Sequence, residues 1–152
     1  MFTKDKKFIS AMFDEISPTY DRLNHLFSGK QDLRWRKLAV KYLKKKYPSP
    51  ECILDLAAGS GDLGIEFMKL NPRNIFSVDL SSMMLKINKE KLYNSKNIPI
   101  RAEAEKLPFK DNFFDLCGIS FGIRNFENLE NCLIEIRRVL KEGGRLLVIE
   151  MF

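Results

Sequence analysis

Residues 52–64 read Cys-Ile-Leu-Asp-Leu-Ala-Ala-Gly-Ser-Gly-Asp-Leu-Gly, an apolar run that passes straight into three glycines spaced G-x-G-x-x-G. A short apolar run closed by glycine predicts a buried strand, and the residues after it predict a helix. Glycines at such a turn let the backbone approach a ligand closely. The helix start offers unpaired N–H groups and the positive end of the dipole. Asp79 follows Gly59 by 20 residues, at the end of the next apolar run. A carboxylate there accepts both hydroxyls of a ribose. A dinucleotide would set its pyrophosphate on this turn, whereas S-adenosylmethionine would set its methionine carboxylate there. The loop alone leaves both open. The plainer readings, an ordinary tight turn and a strand-end aspartate that supports the helix after Ser81, stand beside them.

Outward from the loop, the pattern repeats. Residues 75–78, 98–102, 114–119 and 145–151 read as strands, and helical runs follow Asp62, Ser81 and Asn125. This alternation predicts an α/β fold, a doubly wound parallel sheet covered by helices. The last helix carries the stripe Phe126, Leu129, Leu133, Ile136, Val139 and Leu140, with Gly143-Gly144 expected to stop it. Residues 5–46 read instead as three helices. Phe8, Ile9, Met12, Phe13 and Ile16 mark the first, which Ser17-Pro18 is expected to break. Tyr20 to Phe27 form a short second one, ended by Ser28-Gly29. The third has Trp35, Leu38, Ala39, Tyr42 and Leu43 on one face and Arg34, Arg36, Lys37, Lys41, Lys44 and Lys45 on the other, and ends at Tyr47-Pro48-Ser49-Pro50. Two segments are therefore expected: a helical cap over 1–50 and a ligand-binding core over 51–152.

Composition narrows the classes. The net charge of +6 is confined to the cap, where residues 1–50 hold 12 Lys and Arg against 5 Asp and Glu, while the remainder is close to balanced. Such asymmetry suggests an anionic partner for the first helices. No RNA-binding motif accompanies it, so a nucleic-acid partner is not expected. Cys52, Cys117 and Cys132 are odd in number and widely spaced, which argues for free thiols in a reducing cytoplasm and against a metal or disulfide framework. No apolar run is long enough to span a bilayer, and the basic N-terminus lacks the apolar stretch of a signal peptide.

Four segments together resemble the menaquinone and ubiquinone biosynthesis C-methyltransferases. They are MFDEISPTYDRLNHLFSGKQDLRWRK from Met12, LDLAAGSGDL from Leu54, EAEKLPFKDNFFD from Glu103, and ISFGIRNFENLENCLIEIRRVLKEGGRLLVIE from Ile119. The closing R-V-L-K…G-G-R-L-L-V-x-E block is shared by many methyltransferases, whereas F-G-I-R-N and the first segment are more specific. The resemblance implies a Rossmann-like fold and transfer of a methyl group from S-adenosyl-L-methionine to a ring carbon of a polyprenyl hydroquinone. It implies cofactor contacts at Asp55, Gly59, Ser60, Gly61, Asp79, Glu103, Ala104 and Ser120. Ser60 stands where the family usually has threonine, and Glu103 where it has asparagine or aspartate. The resemblance also implies two further strands forming a hairpin beside the last one, which this sequence does not contain.

Arg124 and Asn125 are the expected catalytic pair, since they follow the fourth strand at the edge where such sheets bind ligands. The arginine would stabilise a phenolate or orient a water, and the asparagine would donate a hydrogen bond or, alternatively, cap the next helix. Tyr20 and His25 are further acid–base candidates. Phe8, Met12, Phe13, Leu26 and Phe27 are candidates for contact with a prenyl tail, or for packing. The basic face of the third helix fits either solvent or anionic lipid at the inner membrane face. Rival readings are a methyltransferase for another small molecule, an inactive shortened family member, and a nicotinamide-dependent oxidoreductase that uses only the glycine loop and Asp79.

Overall fold

Within residues 52–56 the side chains alternate between two cores, and that alternation sets the layers. The computed structural model describes residues 5–47, 49–93 and 95–151. Five strands, β1 (Cys52–Leu56), β2 (Asn74–Asp79), β3 (Asn97–Arg101), β4 (Phe114–Ser120) and β5 (Leu140–Ile149), form one sheet in the order β3-β2-β1-β4-β5. All neighbours are parallel. Ile53, Ile75 and Leu116 point to one face, against Val40, Leu43, Leu63, Phe67 and Leu70. Leu54, Leu56, Val78, Cys117 and Ile119 point to the other, against Ile136 and Val139. The alternation is the period-two geometry of a strand. Gly118 is required on the first face, because a Cβ there would lie 2.4 Å from the Phe67 ring.

The helices are α1 (Lys6–Phe27), α2 (Gln31–Lys46), α3 (Asp62–Phe67), α4 (Ser82–Lys91) and α5 (Leu129–Val139). The expected break at Ser17-Pro18 does not occur, and α1 runs through it. Proline removes the N–H that the Asp14 carbonyl would accept. The buried Ser17 hydroxyl donates to that same carbonyl at 2.9 Å, so the ladder loses no partner and the helix continues.

The face of α2 also differs from the expected one. It buries Asp32, Arg36, Val40 and Leu43, while Leu38 and Tyr42 face solvent among the lysines and Trp35 lies beside the Phe121 ring. Arg36 thus leaves the basic face to which its spacing assigned it. Pro48, expected to help end this helix, lies outside the described residues.

At the other end, α5 begins at Leu129 rather than just after Asn125, and the Asn128 side chain caps it by accepting from Asn131 N. The helix stops at Val139, before the glycine pair. Leu140 already pairs with Phe114, and the next pairing is Leu116 with Arg145. Lys141 to Gly144 form the bulge between them, with Gly143 at φ 75°. The glycines therefore serve the strand and not the helix stop. No helix of the described residues is long and apolar enough to cross a membrane. The three cysteines are free, with Cys117 and Cys132 buried and Cys52 partly so.

Candidate ligand-binding cleft

The strand order reverses between β1 and β4, and a crevice opens there at the carboxyl ends of the strands. Both strand ends turn sharply: Ala57 and Phe121 have φ of 53° and 58°. Gly122 sits beside Ala57, and a Cβ on it would come within 2.5 Å of the Ala57 methyl. The floor of the crevice is thus as narrow as two strand ends allow.

The glycine loop hangs on backbone bonds, Ala58 N to Val78 O at 3.0 Å and Gly61 N to Ala58 O at 3.0 Å. Gly59 and Gly61 take φ of 52° and 96°, which only glycine adopts without strain. Asp79 closes the loop from β2. One of its oxygens accepts from Gly59 N at 2.8 Å and the other from Ser81 N at 2.9 Å. Burial pushes this carboxyl above the ordinary range, and the N–H bonds oppose the shift. The carboxylate lines the cleft. Ser81 also caps α4, accepting from Met84 N, so the cap-supporting role of Asp79 and a ligand role coexist.

Helix α1 roofs the cleft. Ser10 donates to Leu80 O, and the Asp14 carboxylate accepts from Ser81 Oγ and Met83 N. At one end Lys6 Nζ lies 2.9 Å from Glu103 and within 3.6 Å of Glu105 and Glu127. Ile9, Phe13 and Tyr20 of α1 form the apolar ceiling, with Met84, Ala104, Phe121 and Phe126 opposite. The enclosed cavity measures about 70 Å³.

A polar cluster fills the other end. Ser60 Oγ donates to Asp21, and Lys91 Nζ reaches Asp21 at 2.8 Å and Asp62 at 2.5 Å. His25 lies between Asp32, at 2.8 Å, and Asp62, at 3.5 Å. Burial pushes the Asp32 carboxyl up, but hydrogen bonds from Ser28, Arg36 and His25 outweigh it and hold it at about 2. Asp21, His25 and Asp62 have ligand atoms within 4.8 Å of one another. Lys91 already occupies the cation's place among the acids, so the cluster is an ion-pair network. Beneath it Asp55 is 1% exposed, with Oδ2 unpartnered. Burial pushes its carboxyl to about 8, against the pull of Arg36.

The expected site residues divide. Gly59, Asp79, Ala104, Ser120 and Asn125 line the cleft. Asp55 and Ser60 line the small pocket at the polar end. Gly61 shapes the loop behind them, its missing side chain leaving room for Asn88. Glu103 stands on the rim with Lys6. Arg124 and Asn125 point apart: the Arg124 guanidinium is about half exposed, 3.6 Å from Glu150, whereas Asn125 faces the cleft from a short 3-10 turn. Arg36, Asp14 and Lys91 were not singled out as site residues. The i, i+4 pair Asp32–Arg36, in line with Val40 and Leu43, was the available signal for the first of them.

The model of the ubiE/COQ5 methyltransferase family matches residues 1–152. A demethylmenaquinone methyltransferase of Bacteroides fragilis is 39% identical, over 97% of this chain and 62% of its own. The ubiquinone/menaquinone biosynthesis C-methyltransferase UbiE of Blochmanniella pennsylvanica is 40% identical, over 97% of this chain and 60% of its own. The chain thus spans about three fifths of the length of these curated relatives. A crystal structure from Thermotoga maritima, described as a SAM-dependent methyltransferase and possible histamine N-methyltransferase, superposes with a TM-score of 0.70. It is 27% identical, over 91% of this chain and 60% of that one.

Proposed function

This chain belongs to the ubiE/COQ5 methyltransferase family, and from that premise we propose that it takes part in C-methylation of a lipid-soluble polyprenyl hydroquinone, with S-adenosyl-L-methionine as methyl donor. The observation that carries the choice of cofactor is the acidic setting of the glycine loop. Asp21 and Asp62 sit directly on it and Asp55 below it. Lys91 and Arg36 neutralise part of that charge and burial keeps Asp55 protonated, yet Asp21, Asp32 and Asp62 outnumber these two cations, which opposes a pyrophosphate and favours a ligand bearing an ammonium and a sulfonium. Helix α3 is also a six-residue turn, too short to offer much dipole.

The residues fit that cofactor. The Asp79 carboxylate lines the cleft where ribose hydroxyls would donate to it, Gly59, Ser60 and Gly61 give close backbone approach, and Ala104 with the rim residue Glu103 borders the purine side. Ser120 and Asp55 border the amino-acid side. When bound, the cofactor supplies an electrophilic methyl on sulfur. The acceptor's ring carbon would take that methyl, the carbon–sulfur pair would return to sulfur, and the ring proton would leave to a base or solvent. Residues 1–50 form the acceptor-facing cap in this reading, and 51–152 the cofactor-binding core.

Phe13 and Tyr20 exclude water above the reacting centre. Burial raises the Tyr20 phenol, so it stays neutral, while the charges of Arg36 and Arg124 reach it. Asn125 donates to an acceptor oxygen from the cleft wall. Arg124 acts from the rim, where its charge stabilises a developing phenolate.

Peripheral contact with anionic lipid suits such an acceptor. Leu26 and Phe27 are 70% and 83% exposed at the α1–α2 corner, and Leu38 and Tyr42 stand among Lys37, Lys41 and Lys45. Such a surface supports a cytoplasmic protein resting on the inner membrane face.

Titration calorimetry with S-adenosylhomocysteine and NAD tests the cofactor, and transfer of labelled methyl to a demethylated naphthoquinol or benzoquinol tests the reaction. Binding of S-adenosylhomocysteine alone, followed by label in the ring product, is expected. Binding of NAD alone overturns the reading.

A further inference from the structure

Just past the last paired residue of β5 stands a carboxylate that the fold leaves half-satisfied. The Glu150 side chain is 1% exposed. Its Oε1 accepts from Met151 N at 3.0 Å and lies 3.6 Å from Arg124 Nη1. Its Oε2 is buried with no partner among the described residues. A buried carboxylate oxygen without a donor is costly, and folded chains keep few of them. The backbone fixes this one in place, since Ser120 pairs with Ile149 and Phe121 N donates to Ile149 O at 2.8 Å. The same stretch continues through Gly122 into the 3-10 turn that carries Arg124 and Asn125.

Arg124 is the matching half. Its side chain is about half exposed, and its one ion pair among the described residues is the loose contact with Glu150. The acids Glu103, Glu105 and Glu127 are gathered by Lys6 at their own end of the cleft. A guanidinium presents parallel N–H donors spaced for both oxygens of a carboxylate. Here one oxygen is approached from a distance and the other stands open, so the fork is incomplete. The Arg124 charge already reaches Tyr20 in the cleft ceiling.

We propose that Glu150 is the positioning residue of Arg124: its open oxygen takes the second prong of the guanidinium when an acceptor enters, and so holds that charge at the acceptor's phenolate oxygen. The proposal rests on the quinol methyltransferase reading, in which Arg124 stabilises the phenolate. Glu150 acts through Arg124 and does not itself touch the acceptor.

The probe is 1-naphthol, whose anion absorbs at longer wavelength than the neutral phenol, so no methyl transfer is needed. It is titrated with pH while bound to the whole chain together with S-adenosylhomocysteine. A nearby positive charge favours the anion by about tenfold or more. Arg124→Gln is therefore expected to leave about tenfold less bound naphtholate at a given pH. Glu150→Gln is expected to give a loss of the same order, although removal of an anion would by charge alone give more naphtholate. On the Arg124→Gln background it is expected to give no further loss. Glu150→Asp withdraws the carboxylate by one methylene, so a smaller loss is expected, and it decides the matter if Glu150→Gln fails to fold. Unchanged or increased naphtholate in the Glu150 variants, a further loss in the double variant, or weakened binding of S-adenosylhomocysteine in Glu150→Gln overturns the role of Glu150. Failure of the unaltered chain to bind S-adenosylhomocysteine or naphthol overturns the quinol methyltransferase reading itself, and this proposal with it.

Discussion

Replacing Gly122 by alanine tests how tightly the crevice floor is built. The backbone of Gly122 has φ −109°, which alanine adopts freely, so any cost comes from contact and not from conformation. The added Cβ would stand 2.5 Å from the Ala57 Cβ, about 1 Å inside ordinary contact. The ends of β1 and β4 must part by that amount, and overpacking of this kind costs about 1–3 kcal/mol. For a chain of this size the loss corresponds to a fall of about 3–10 °C in melting temperature. The reciprocal change, Ala57→Gly, removes the opposing methyl and also relieves a left-handed φ of 53° on a residue with a Cβ. The double variant therefore moves the one methyl from β1 to β4, and its stability is expected within about 0.5 kcal/mol of the unaltered chain. Calorimetric melting of all four proteins measures the coupling. A Gly122→Ala protein that melts within 1 °C of the parent, or a double variant whose loss is the sum of the singles, refutes the reasoning.

Ser17→Ala leaves the Asp14 carbonyl without its donor and should cost about 1–2 kcal/mol in urea unfolding. Pro18→Ala on the same background restores an N–H to that carbonyl, and most of the loss should return. The Asp32 carboxyl, held at about 2 against an ordinary 3.8, contributes stability that is complete above pH 4 and fades as pH falls towards 2. The contribution is on the order of 2 kcal/mol. Asp32→Asn should flatten that part of the urea-unfolding profile between pH 4 and 2, and an unchanged slope counts against the network. Leu26→Asp with Phe27→Asp should lower binding to vesicles containing anionic lipid by several-fold while leaving binding of S-adenosylhomocysteine unaltered. Equal sedimentation with anionic and neutral vesicles by the parent chain removes the membrane contact.

The fold could be read from residues 52–119 because its determinants are local there. The apolar run, the glycines and the acid 20 positions on occupy fixed places in a strand–turn–helix–strand unit, and the two faces of β1 alternate as the sequence does. The cap was less legible. Pro18 ends most helices, and only the adjacent Ser17 hydroxyl, turned back onto Asp14, lets this one continue. In α2 the expected apolar face is Trp35, Leu38, Ala39, Tyr42 and Leu43, yet of these only Leu43 joins the buried side, which holds Asp32, Arg36 and Val40. The partners of Asp32 and Arg36 are His25 of the preceding helix and, far away in sequence, Ser120 and Asp62, and the pattern of one helix cannot show charges that another element neutralises. Asn125 was read as a possible helix cap, but the 3-10 turn at Ile123–Asn125 intervenes and Asn128 caps α5 instead. The pairing of Arg124 with Glu150 depends on how the end of β5 lies beside that turn, which no local pattern reports.

The network of Asp21, His25, Asp32, Arg36, Asp62 and Lys91 has a consequence for how this protein drifts over generations. Lys91 is the cation that holds Asp21, and Arg36 the cation that holds Asp32, so a neutral replacement of either cation strands an acid in a half-buried place, whereas a matched pair of replacements strands none. Divergence at these six positions should therefore proceed by compensated steps. Lineages that lose Lys91 should have altered Asp21 or Asp62 as well, and those that lose Asp32 should have altered Arg36 or His25.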